Sequence, residues 1–153
     1  LDKGLIKVDM DAEEIKKVFE DNVRYFLPYI KGVNNHMGSL FTANEEKMRI
    51  LLESIKEKNL YFVDSLTNQK SCGYKIAKEL GIKTGKRDIF LDISSEPEQI
   101  NKKIDQLLKM GKENQGVIAI GHAKSNTIKV LKERISDFEA NDIEIVPVST
   151  LLE

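Results

Sequence analysis

The sequence predicts an α/β fold with a parallel sheet and helices outside it. Apolar runs of the buried-strand type alternate with amphipathic helical stretches along the whole chain. The apolar runs are also continuous rather than every second residue, as in strands covered on both faces.

The first helix is expected over about 11–26. Asp11 with Glu14 three residues later has the form of a capping box, which satisfies free amides of a first turn. Ile15, Val18, Phe19, Val23 and Phe26 then recur at helical spacing, and Pro28, with no amide to donate, closes the stretch. A short strand is expected over 29–33. A second helix starts near Asn44, with Thr42 and Glu45 as its box and Met48, Leu51, Leu52 and Ile55 on one face. Residues 60–63 are a compact strand. A third helix carries Ile76, Ala77 and Leu80, and Gly81 suits its left-handed cap. Residues 89–91 are the next strand. A fourth helix is capped by Ser95, has Pro97 in its first turn, and shows Ile100, Ile104, Leu107 and Leu108. Residues 117–120 form a further strand, a fifth helix from Ser125 shows Ile128, Leu131, Ile135 and Phe138, and 143–148 is the last strand.

An open doubly wound sheet and a piece of a barrel both fit this order. A full eightfold barrel takes about 250 residues, so the barrel reading requires strands missing from the N-terminal side of these 153 residues. No repeat, low-complexity segment or Pro/Gly/Ser-rich linker interrupts the chain, which reads as one continuous domain over 1–153. It opens Leu1-Asp2-Lys3-Gly4, with neither methionine nor signal peptide, as a processed or truncated protein would.

Composition narrows the function. Hydrophobic residues at 41% and charged residues at 32% are the balance of a globular protein, which excludes a disordered chain. No apolar run reaches the roughly 20 residues of a transmembrane helix. Twenty-four basic against 25 acidic residues, net charge −1, leave no basic field for nucleic acid. One cysteine permits neither an intrachain disulfide nor a cysteine metal cluster. With two histidines in the chain, histidine chemistry passes through His36 or His122. Walker-type, dinucleotide-binding and nucleophile-elbow glycine motifs are absent, and neither histidine has a partner at helical zinc spacing.

In either architecture function gathers at the carboxyl ends of the strands. Those ends read Asn34-Asn35-His36-Met37-Gly38-Ser39, Asp64-Ser65, Asp92 (with Arg87-Asp88 ahead of the same strand), Gly121-His122, and Pro147 with Ser149. Both histidines fall there. Each residue also has a plainer reading. His36 could be a solvated loop histidine, His122 a helix cap, Asp64 a cap or turn former, and Arg87 with Asp88 a surface ion pair of little worth. Cys72 stands in a helical first turn, where thiol pKa values can fall, but it reads as a packed small residue. The loop 121–127 leads into a helix N-terminus and could hold an anion such as a phosphorylated metabolite.

The strings Gly32-Val33-Asn34-Asn35-His36-Met37-Gly38-Ser39, Phe62-Val63-Asp64-Ser65, Arg87-Asp88-Ile89-Phe90-Leu91-Asp92, Ala119-Ile120-Gly121-His122 and Val146-Pro147-Val148-Ser149, in this order, resemble the divergent polysaccharide deacetylase family. The resemblance runs from about Gly4 to the end of the chain. It implies a distorted (β/α) barrel of the carbohydrate-deacetylase superfamily with its site at the strand ends. Family members begin with a strand ending in Asp-Asp, and a later strand leads to a His-Leu-Pro-Met-like string. Neither occurs here, so the chain is expected to be the C-terminal part of the barrel, without its N-terminal strands.

The chemistry the resemblance implies is metal-assisted removal of N- or O-acetyl groups from an amino-sugar polymer. A divalent ion, zinc by first choice, would activate water and polarise the carbonyl. On that reading His36 is a metal ligand and His122 the acid or a second ligand. Asp64 and Arg87 orient these groups or bind substrate. Asn34, Asn35, Ser39, Ser65 and Asp88 face the sugar. The expected partner is an acetylated carbohydrate polymer or oligomer, and the expected location is extracytoplasmic, periplasmic or secreted. The alternative is a non-catalytic carbohydrate-binding or cell-envelope protein on the same fold.

Overall fold

A computed structural model describes residues 4–153. Leu1, Asp2 and Lys3, where the sequence opens without methionine, lie outside the described residues. The chain divides into two compact units. The first runs to Lys86 and takes in Leu152–Glu153, and the second is Arg87–Leu151.

In the first unit the order is α1 (Ala12–Val23), β1 (Gly32–Asn34), α2 (Ser39–Thr42), α3 (Glu45–Glu57), β2 (Tyr61–Asp64), α4 (Gly73–Glu79) and β3 (Thr84–Lys86). The strands form one parallel sheet in the order β1-β2-β3, with Val33 opposite Phe62 and Phe62 opposite Thr84. The expected capping box at Asp11 and Glu14 is present, with both reciprocal hydrogen bonds at 2.9 Å. Ile15, Phe19, Met48, Leu52, Ile55, Phe62 and Ile76 make the core. Gly81 takes the left-handed conformation, φ 69°, that its place after α4 called for.

The structure corrects several details here. The cap of α3 is Asn44, whose side chain accepts from Lys47 N, and not Thr42, whose hydroxyl turns back to Ser39 O. Phe26 is 59% exposed, because α1 gives way to tight turns after Val23 and Leu27 and Ile30 take over the inward positions. Strand β3 is an element beyond those expected from the sequence. It forms because Phe62 N donates to Lys83 O, and the buried Thr84 hydroxyl donates to Phe62 O at 2.7 Å. On its other edge Thr84 exchanges two backbone hydrogen bonds with Glu153, at 2.9 and 3.0 Å.

The second unit contains β4 (Ile89–Phe90), α5 (Pro97–Glu113), β5 (Ala119–Ile120), α6 (Ser125–Glu139) and a 3-10 turn, Val148–Thr150. β4 and β5 pair in parallel, Phe90 opposite Ile120. Ile89, Leu91, Ile100, Ile104, Val130 and Phe138 form its core. Helix α5 begins at Pro97 as expected, but Glu96 precedes it without a side-chain cap, and Ser95 instead offers its carbonyl to Asn126. On α6 the buried positions are Thr127, Val130 and Phe138, while Ile128 and Ile135 are exposed. The face is rotated by one residue because the Thr127 hydroxyl is drawn inward to Asp92.

The expected last strand, 143–148, is not a strand. Asp142 turns the chain in the left-handed conformation, φ 57°, Ile143 N donates back to Phe138 O, and Pro147 has no amide for a ladder. The architecture is therefore mixed α/β with parallel strands, and each strand pairing among the described residues is parallel.

Candidate functional site

In the first unit β1 and β2 end side by side, which joins the two loops that follow them. Asn34 Nδ2 donates to Ser65 Oγ at 3.0 Å, and Ser65 N donates to Asn35 Oδ1 at 2.8 Å. Farther out, Thr67 Oγ1 donates to Met37 O and Asn68 Nδ2 to Ser39 O. His36 and Ser39 are exposed on this joined rim, Ser39 as the first residue of α2. Met37, Gly38 and Leu66 all have positive φ, 60°, 72° and 45°. For Met37 and Leu66 that is strained backbone, held by the loop-to-loop bonds. Asn35 Nδ2 is buried and meets no acceptor among the described residues, so this loop holds a donor in reserve.

Asp64 is fully buried at the end of β2. Its Oδ1 accepts from Leu66 N at 2.9 Å, and its Oδ2 accepts from Ser71 Oγ at 2.8 Å and Tyr74 N at 3.0 Å. These bonds tie β2 to the first turn of α4. Gly73 packs so closely that an added Cβ would lie 2.9 Å from Asp64 Oδ2. Cys72 is buried beside it and donates its thiol to Thr42 O, and burial pushes that thiol's pKa up, away from reactivity.

In the second unit Asp92 and His122 meet at the ends of β4 and β5. Period-two alternation puts Phe90 and Asp92 on one face of their strand, and the register brings that face to His122. Asp92, side chain wholly buried, has its Oδ1 3.0 Å from His122 Nδ1. It also accepts from the His122 backbone amide, and from Thr127 Oγ1 at 2.7 Å. Burial by itself would raise the Asp92 pKa. The bonds from Thr127 and from the His122 amide and ring outweigh it, and the carboxyl sits below its ordinary value. An ionised carboxylate only accepts, so it holds the proton on Nδ1 and leaves Nε2 as the reactive nitrogen. The His122 side chain is 34% exposed. Its ring centroid lies 5.4 Å from that of Phe90, and the Arg87 guanidinium lies 5.5 Å from the Phe90 centroid.

The sequence-derived residues thus fall into two groups. Asn34, Asn35, His36, Ser39 and Ser65 share the β1/β2 rim. Arg87 and His122 are linked through Phe90. Asp88 stands apart, ahead of β4, where its carboxylate accepts from Ile118 N at 2.7 Å. Asp92, Phe90 and Thr127 were not singled out from sequence as site residues. Asp92 carried a signal, since it ends its strand as His122 follows β5. A cavity of about 660 Å³ in the second unit is lined chiefly by apolar residues such as Leu107, Val117, Ala119 and Val146, and Arg87, Asp88, Phe90, Asp92, His122 and Thr127 are not among its lining residues. At the strand ends of the second unit the polar side chains that converge are those of Asp92, His122 and Thr127.

Among the described residues no group of three or more His, Cys, Asp and Glu side chains is arranged to hold a metal ion.

Three comparisons with known proteins bear on this geometry. The family model described as "Divergent polysaccharide deacetylase" matches residues 1–152. The uncharacterized protein YibQ of Escherichia coli (strain K12) is 33% identical over 152 residues, 99% of this chain and 47% of that protein. An uncharacterized protein of Haemophilus influenzae is 39% identical over 120 residues, 78% of this chain and 42% of that one. The chain thus spans about half the length of the curated relatives it matches. Among solved structures, that of the uncharacterized protein ATU2773 from Agrobacterium tumefaciens C58 superposes with a TM-score of 0.75 at 27% identity, over 79% of this chain and 49% of that one.

Proposed function

Since the chain belongs to the divergent polysaccharide deacetylase family, we propose that the protein removes acetyl groups from an amino-sugar polymer, with His122 as the group that moves the proton. The observation that carries this reading is the Asp92–His122 pair. A buried carboxylate fixes the tautomer and direction of a partly exposed imidazole, the arrangement general acid catalysis needs. Deacetylation ends with protonation of a departing amine or alcohol, and protonated Nε2 of His122 is the donor. Arg87, linked to the same ring through Phe90, orients these groups or binds substrate. Asn34, Asn35, Ser39 and Ser65 supply donors and acceptors suited to sugar hydroxyls, the buried Nδ2 of Asn35 among them. We assign Asp64 to holding its loop, since its two oxygens are engaged by its own chain.

Our reading of the architecture is a (β/α) barrel of the carbohydrate-deacetylase superfamily, supported by the uniformly parallel pairing. In it His36 is one ligand of a divalent metal, zinc by first choice. The polymer substrate argues for an extracytoplasmic location. The engagement of both Asp64 oxygens by its own chain favours one second reading, a carbohydrate-binding protein without catalysis.

The deciding experiment is acetate release from acetylated amino-sugar oligomers by the intact protein, with and without added zinc. His122→Ala should abolish release while leaving the fold intact. Oligomer binding by calorimetry with no release by the wild type would establish the second reading instead.

A further inference from the structure

We propose that Thr127 is the positioning residue of the dyad, holding the Asp92 carboxylate at the orientation from which it directs His122, a proposal that rests on the proton-transfer reading of His122. Among the described residues two residues donate to this carboxylate. His122 does so through its ring, with Nδ1 3.0 Å from Oδ1, and through its backbone amide, 3.0 Å from Oδ2. A carboxylate held by the histidine alone would follow that residue and could not place it. Thr127 supplies the independent anchor. Its Oγ1 donates to Oδ2 at 2.7 Å, from a position 35 residues along the chain. The threonine is itself fixed. It is buried, and a helical threonine has two χ1 choices, one of which turns its hydroxyl back to the preceding turn. The carboxylate is the stronger acceptor and takes the hydroxyl instead. The neighbouring Asn126 donates its Nδ2 to Ser95 O at 2.9 Å, so the first turn of α6 grips the segment after β4 at two points, Asp92 and Ser95. The Thr127 methyl lies toward Gly121: a Cβ built there would be 3.4 Å from Thr127 Cγ2 and 3.6 Å from Asp92 Oδ1. The two γ atoms thus serve both sides of the dyad, Oγ1 the carboxylate and Cγ2 the turn that carries the histidine.

The test uses the intact protein and proton NMR, with the Nδ1–H line of His122 assigned by its loss in His122→Gln. That line reports the bond to Asp92 directly, whatever else touches the ring. The wild type should show it far downfield, as a proton shared with a carboxylate. Thr127→Val keeps the shape and removes the donor, so the line should move upfield and broaden as the carboxylate turns. Thr127→Ser keeps the donor and should restore it. In acetate release Thr127→Val should lower kcat about tenfold with KM within about twofold, and Thr127→Ser should recover most of the loss. Should Thr127→Val not fold, Asn126→Ala is read the same way, since it loosens the turn that carries Thr127 and leaves the hydroxyl in place. A wild type without the downfield line, or a line unmoved in the variant that folds, overturns the proposal. A wild type that releases no acetate strikes the catalytic reading alone, and the spectra still decide the positioning.

Discussion

His122 Nδ1 lies 3.0 Å from Asp92 Oδ1, and the two residues stand 30 positions apart at the ends of adjacent parallel strands. The pair gains a third member in Thr127, whose hydroxyl reaches the other carboxylate oxygen from the first turn of α6.

Asp92→Asn should separate two effects. Asparagine keeps the shape but removes the charge that holds the Nδ1 proton, so acetate release should fall by roughly 10–100-fold. Folding stability should also change its pH dependence. The folded-state pKa of Asp92 is below the ordinary value of 3.8, so its ionised form contributes stability above that value, and the contribution is lost as pH falls through the lower folded value. Urea unfolding between pH 3 and 7 should show a shallower acid limb in Asp92→Asn than in the wild type. Identical limbs would mean that the carboxylate carries no net charge interaction.

Thr127→Val should cost about 1–3 kcal/mol, because it leaves a buried carboxylate oxygen short of a donor. Thr127→Ser keeps the hydroxyl and should recover most of this loss, as chemical denaturation would show. Equal stability of the valine variant would assign Thr127 to packing alone.

Gly73→Ala tests the lock around Asp64. The added Cβ would meet Asp64 Oδ2 and Phe62 Cε1, both at 2.9 Å. Overpacking of this kind costs about 1–3 kcal/mol, and amide exchange at Leu66 and Tyr74 should quicken as their bonds to Asp64 loosen. A variant as stable as the wild type would show that β2 and α4 are less tightly coupled than their bonds indicate.

Much of this was legible in the sequence because it is local. The Asp11–Glu14 box, the inward face of α3 and the left-handed Gly81 each depend on residues within a turn or two. What escaped depends on distant partners. β3 carries Gly85 and Lys86 and lacks an apolar run, and it is a strand only because Phe62 and Glu153 flank it. Residues 143–148 have the composition of a strand, but Asp142 and Pro147 decide otherwise. In the candidate site both histidines were identifiable by their place after strands, whereas Asp92 and Phe90 acquire meaning only from the register that sets them against His122. Ile128 and Ile135 were placed inward on α6 for the same reason, since nothing in their own helix announces that Thr127 is pulled in by a carboxylate 35 residues earlier.

Zinc should bind this chain weakly and without defined stoichiometry, since no three suitable side chains converge among the described residues. Elemental analysis after dialysis against zinc checks it, with His36→Ala as the comparison. One tightly held equivalent, lost in the variant, would show ligands around His36 beyond those brought together here.

The paired backbone bonds between Thr84 and Glu153 impose an order of events on biosynthesis. Helices α1 to α4 and strands β1 to β3 leave the ribosome first, yet the outer edge of β3 waits for a partner that follows the whole of Arg87–Leu151. Throughout that interval the nascent sheet presents open amides and carbonyls to whatever strand is nearby. The second unit thereby becomes a timer: the longer it takes to emerge, the longer the first is exposed to pairing with a neighbouring chain.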